Sequence, residues 1–146
     1  MTEKHLVGAL ELCDLPQLKL LGLEARVDTG ATTSSLHVDN IVKFKKGDEK
    51  WVRFDIHPDA HDVNKLMQRE AKVKSVRKVK SSNATKQRRY VIETDIFIAD
   101  MQWSIELTLT DRSEMKYLML LGREAMSGRL IVDPEHEFLL TEANNH

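Results

Sequence analysis

Residues 103–110 alternate apolar and polar side chains with a period of two. Trp103, Ile105, Leu107 and Leu109 share one side and Ser104, Glu106, Thr108 and Thr110 the other, which predicts a strand with one buried face. Residues 90–99, rich in Val, Ile, Tyr and Phe, predict a second strand, and residues 99–102 are short enough to join the two as a hairpin. Residues 51–57 alternate likewise, with Gly47 and Asp48 marking the turn that feeds them from residues 42–44. Residues 118–121 are apolar throughout and bounded by Gly122, the pattern of a central strand covered on both faces. Residues 124–127, closed by Gly128, predict a helical turn or two. Residues 130–132 and 138–140 predict late strands on either side of an Asp133-Pro134 turn. Many short strands with one or two short helices predict a mainly β, barrel-like domain, a single unit spanning residues 1–146.

Length and composition narrow the class. With 146 residues, 41% of them hydrophobic, the chain is long enough to bury a real core without metals or disulfides. Its one cysteine, Cys13, excludes an internal disulfide framework and any multi-cysteine metal site, and an ordinary half-buried thiol is expected there. No apolar run approaches the ~18 residues of a membrane span, and no signal peptide is visible at the start, so a cytoplasmic protein is expected. Net charge is -1, which carries no overall mandate for nucleic acid.

The charge is nevertheless unevenly placed. Residues 72–89 carry Lys72, Lys74, Arg77, Lys78, Lys80, Lys86, Arg88 and Arg89 and no acid, around a run of turn formers at 81–85. This predicts a projecting basic hairpin, with a solvated loop as the plainer alternative. The stretch holds one aromatic, Tyr90 at its edge, so it offers no stacking platform and nucleic acid is an unfavoured partner.

Candidate chemistry centres on Asp28-Thr29-Gly30-Ala31-Thr32, followed by further hydroxyls. An Asp at a strand end followed by Thr and Gly suits a tight loop that presents a carboxylate, since Gly30 lets another group approach closely. On these residues alone a plain turn, with Asp28 capping the next segment, explains the triplet equally well. His57 and His61 lie four apart but without a general-base Glu, and neither a phosphate-cradling glycine motif nor a His-Glu-x-x-His motif is present. No metal or cofactor is expected.

Downstream, the apolar strand ends in Gly122-Arg123-Glu124. The two elements together, in this order and in a chain this short, resemble the retropepsin-like aspartic proteases, where an Asp-Thr-Gly-Ala loop meets a hydrophobic strand ending in Gly-Arg. Residues 27–37, 51–54, 57–58, 79–83, 105–112, 120–125 and 131–134 are similar to one bacterial branch of that fold. Its members are labelled ATP-dependent zinc proteases and are associated with ATP-grasp glutamate ligases.

The resemblance implies a closed β-barrel, a homodimer, and an aspartic peptidase whose two carboxyls are Asp28 from each of two chains. Thr29 and Gly30 would hold the two loops in register, and Gly122 and Arg123 would brace them. Ala31 and Thr32, with Arg77, Lys78 and Lys80 on a flap-like hairpin, would bind substrate. Thr32 stands where the viral enzymes have an acid, and Glu124 where they have Asp or Asn. The tie to ligases points to acidic, glutamate-rich peptides and to association with a ligase. A non-catalytic dimeric module docking an acidic partner, and a zinc-dependent hydrolase, stay open beside this reading.

Overall fold

The computed structural model describes residues 3–57, 66–80, 86–111 and 117–141. These form strands β1 (His5–Val7), β2 (Leu10–Leu15), β3 (Leu20–Val27), β4 (Ser34–His37), β5 (Asp39–Lys46), β6 (Glu49–Ile56), β7 (Met67–Lys72), β8 (Ser75–Lys80), β9 (Lys86–Ile98), β10 (Met101–Thr110), β11 (Met119–Leu121) and β12 (Leu130–Val132), with one short helix, α1 (Arg123–Met126).

Strands pair in the order β10-β4-β11-β3-β2-β9, and β9 pairs back onto β10, which closes a six-stranded barrel. Closure leaves no free edge around that ring. The thirteen-residue β9 runs past the barrel, so its first half pairs with β8 as an antiparallel hairpin. A second sheet, β5-β6-β7, packs beside the barrel, and β1 lies parallel to β12. Leu15, Leu36, Phe54, Ile96, Leu107 and Leu121 are among the fully buried side chains that fill the interior. Among the described residues no helix is long and apolar enough to cross a membrane.

Most predicted strands form as read. In β10, Trp103, Ile105, Leu107 and Leu109 are buried as the alternation requires, although Thr108 and Thr110 on the opposite side are buried too. The run at 119–121 is the central strand expected, parallel to β3 on one side and antiparallel to β4 on the other. The basic segment forms the hairpin of β8 and β9, while its turn at 81–85 lies outside the described residues.

Two expectations are corrected. Residues 138–140 are not a strand: Phe138 adopts φ +54°, and the amides of Leu139, Leu140 and Thr141 all donate to the Glu11 carboxylate. A strand sends successive amides to opposite sides, so three converging on one side chain exclude it. Cys13 is fully buried rather than half-buried, and burial, with Asp14 adding to it, pushes its thiol up to about 12.

Candidate active site

Three barrel strands meet at the Asp28 loop. β3 ends at Val27, the chain turns through residues 28–33, and β4 leaves antiparallel to β11, which has come up between them. The Asp28 amide donates to the Leu121 carbonyl at 2.9 Å, so the loop leaves the barrel directly from the central strand. Within the loop the Gly30 amide donates to Asp28 Oδ1 at 2.9 Å, and the Ala31 amide donates to the Asp28 carbonyl at 3.2 Å. Asp28 itself is half-buried, with Thr29 and Gly30 exposed. A β-carbon at Gly30 would stand 3.2 Å from Asp28 Oδ1, so glycine leaves the carboxylate uncrowded.

The Gly122-Arg123 segment holds this loop from behind. The Arg123 amide donates to the Ala31 carbonyl at 2.8 Å and the Glu124 amide to the Thr32 carbonyl at 3.0 Å, while Arg123 Nη1 and Nη2 donate to the Thr29 carbonyl and Thr32 Oγ1. One guanidinium therefore bridges both ends of the turn. The Gly122 amide donates to Ser34 Oγ at 3.0 Å, and Trp103 Nε1 donates to the Ala125 carbonyl, fixing α1 against β10. Thr32, which departs from the viral pattern, supplies the acceptor that Arg123 needs. Arg26 is exposed on β3, opposite Leu120 and Leu10 in its two ladders, and makes no ion pair among the described residues.

The three cations of the hairpin separate. Arg77 Nη1 and Nη2 donate to Glu124 and Glu106 of its own chain at 3.0 and 2.9 Å, so its charge is met by two carboxylates within the chain. Glu106 stands directly opposite Glu93 in the β9–β10 ladder, and the ammonium of Lys74 sits between them at 2.7 and 2.8 Å. Two like charges facing each other destabilise a ladder unless a cation intervenes. Hydrogen bonding to Lys74, with Arg77 adding to it, holds the Glu106 carboxyl below its usual range, and hydrogen bonding to Glu106 and Glu93 raises Lys74. Lys78 is exposed on the hairpin's other face, and Lys80 ends β8. Sequence reasoning missed Glu106 and Glu124 as the partners of this network. Their spacing from Arg77 carries no local signal.

Zinc, which the family label raises, finds no suitable centre among the described residues. His57 Nε2 lies 3.3 Å from Asp39, and its partner in the proposed pair, His61, lies outside the described residues. Asp133, Glu135 and His136 bring their donor atoms together, but Asp133 already accepts from the Glu135 amide and contacts His136 Nδ1. That set is an Asx turn with a surface histidine.

The chain belongs to the RimB-like family, described as the retropepsin-like aspartic endopeptidase RimB, whose model matches residues 6–143. Curated relatives named probable alpha-L-glutamate ligase are 47% identical over 92% of this chain in Parasynechococcus marenigrum and 45% identical over 95% in Shewanella pealeana. The matched region makes up 29% and 30% of those proteins, so the chain spans under a third of their length. A crystal structure of a Legionella pneumophila protein of unknown function superposes with a TM-score of 0.78 at 27% identity, covering 94% of this chain and 99% of that one.

Proposed function

We propose that this member of the RimB-like family is an aspartic peptidase whose site forms where two copies of the chain bring their Asp28 loops together. The observation that carries the reading is the loop itself: a half-buried Asp28 carboxylate with one oxygen held by the Gly30 amide, clamped from behind by Arg123. One such loop supplies one carboxyl, and the chemistry needs two, so a twofold homodimer is the economical source of the second.

Two carboxyls a few ångströms apart share a proton and titrate as a coupled pair. The ionised member takes a proton from the attacking water as it adds to the scissile carbonyl carbon. The protonated member donates to the carbonyl oxygen, giving a tetrahedral diol. The carboxyl that gained the water's proton then passes it to the amide nitrogen, and the other carboxylate takes back a proton from a diol hydroxyl as the C–N bond breaks and the amine leaves. Thr29 and Gly30 keep the loops in register, and Ala31 and Thr32 line the approach of the substrate backbone. The hairpin's cations favour acidic, glutamate-rich peptides. The names of the relatives support association with a glutamate ligase.

The test sets purified chain against a glutamate-rich peptide and a neutral peptide, with Asp28→Asn alongside and cleavage read by mass spectrometry. Cleavage of the acidic peptide by the native chain, lost in the variant and falling on dilution as dimers dissociate, is the expected result. Equal turnover by Asp28→Asn, or full activity in a particle that sediments as a monomer, overturns it. The second reading, a non-catalytic module of a ligase assembly, rests on the ligase names of relatives in which the matched region is under a third of the chain. A ligase whose activity responds to the Asp28→Asn chain as fully as to the native chain supports that reading.

A further inference from the structure

A cleft of about 580 Å³ opens between the far end of the β5-β6-β7 sheet and the β8–β9 hairpin, with Lys43, Lys45, Lys50, Val76, Arg88 and Tyr90 in its walls. No residue of the Asp28 loop and no carboxylate lines it. Strand parity explains its charge. Lys43 pairs with Val52 and Lys45 with Lys50, so all three lysines lie on the face of their sheet that buries Val52. Arg88 and Tyr90 share the face of β9 that carries buried Ile92 further along, and Lys78 stands opposite Arg88 in the ladder. Two faces that begin as hydrophobic core thus continue outward as cations confronting one another.

The lysines of the opposite face behave differently. Lys46 pairs with Glu70, and Lys72 with Glu49. Among the described residues, the cleft-lining Lys43, Lys45, Lys50 and Arg88 have no carboxylate partner. Cations gathered in a concave site without counter-charge favour an anionic occupant.

We propose that this cleft is a binding site, separate from Asp28, for the side-chain carboxylates of an extended acidic peptide. Lys43 and Lys45 lie about 6.8 Å apart along their strand, the distance between alternate side chains of a peptide lying extended beside it. Both β5 and β8 are outermost strands of their sheets, so their backbones are open to an added strand. Three aromatic rings line the cleft, Phe44, Trp51 and Tyr90, and two of them are already covered by cations, which argues against single-stranded nucleic acid. Lys46 covers the Trp51 ring at 4.0 Å and Arg53 lies over Phe44 at 5.2 Å, which takes up faces that bases would stack on. The assignment rests on the acidic-substrate reading above and moves recognition from Arg77 to the paired sheet faces.

The experiment measures binding of a fluorescein-labelled decaglutamate peptide to the full chain by anisotropy. It compares the native chain, a Lys43→Gln/Lys45→Gln/Lys50→Gln variant, Arg88→Gln, and an outer-face Lys46→Gln/Lys72→Gln control, each checked for an unchanged melting temperature. The triple variant is expected to weaken binding about tenfold or more, Arg88→Gln by about threefold, and the outer-face control by less than about twofold. Native binding is expected to weaken with added salt. Asp28→Asn is expected to bind like the native chain, so binding can succeed where hydrolysis fails, and the two ideas fall separately. Equal loss from both faces, undiminished binding by the triple variant, no native binding at low salt, or tighter binding of an oligodeoxynucleotide of matched charge each overturns the assignment.

Discussion

Gly122 lies directly against Thr33: a β-carbon at 122 would stand 2.6 Å from both the carbonyl carbon and the carbonyl oxygen of Thr33. Neither is the end of a flexible side chain, so the Asp28 loop itself has to move. Gly122→Ala is therefore expected to cost about 2–3 kcal/mol, lowering the melting temperature by about 2–4 °C for each kcal/mol. Gly30→Ala presses only on Asp28 Oδ1 at 3.2 Å and is expected to change melting less while removing the proposed peptidase activity. Calorimetry on the two variants checks the order, and a Gly122→Ala chain that melts like the native one contradicts the close approach.

The Arg123 clamp is expected to be geometric as well as electrostatic. Lysine cannot bridge the Thr29 carbonyl and Thr32 Oγ1 as a planar fork does. Arg123→Lys should reduce kcat, and a double-mutant cycle with Thr32→Val should return a coupling of about 1 kcal/mol in chemical unfolding. A coupling indistinguishable from zero would show that the contact does not hold the loop.

Glu11 is fully buried and accepts from the amides of Gly8, Leu139, Leu140 and Thr141 and from the Thr141 hydroxyl. Gln at this position replaces one acceptor oxygen by an amino group that faces donors. Glu11→Gln is expected to lose about 2–4 kcal/mol, with residues 138–141 becoming the first to exchange amide hydrogens. Normal protection there would show that another contact secures the segment.

The Glu93–Lys74–Glu106–Arg77–Glu124 chain of alternating charges sets a pH signature. Glu106 is held below its ordinary 4.5, so its contribution is full above that value and is lost as pH falls through the lower folded value. Lys74 is raised above 10.5, so its contribution is full below that value and is lost as pH rises through the higher folded one. Lys74→Met leaves Glu93 facing Glu106 with only Arg77 to offset the repulsion, and should lower melting most near neutrality. The deficit should shrink once pH drops below 4.5, and a deficit independent of pH would remove the ion pairs as its cause.

Local patterning made much of this architecture legible before any coordinates. Alternation in residues 103–110 reports a half-buried strand because side chains of a strand point to opposite faces, a property each residue carries by itself. The bracing of the loop by Arg123 was implied by the family resemblance and not by local patterning, because its partners Thr29 and Thr32 lie some ninety positions upstream. The segment at 138–140 misled because Phe, Leu and Leu look the same in a strand and in a loop tethered from afar. Its tether, Glu11, lies far upstream and is acidic, which reads as exposed until its amide partners are known.

Residue order alone therefore determined the barrel's strands, the Asp28 turn and the lopsided charge, because each depends on neighbours within a few positions. Which cations are spent and which stand free was decided only by the fold. Arg77 and Lys78 are adjacent in the chain, yet the pleat sends one to Glu106 and Glu124 and the other to the opposite face, beside Arg88. A strand reverses side with every residue, and what waits on each side comes from segments that meet only when the sheets pack.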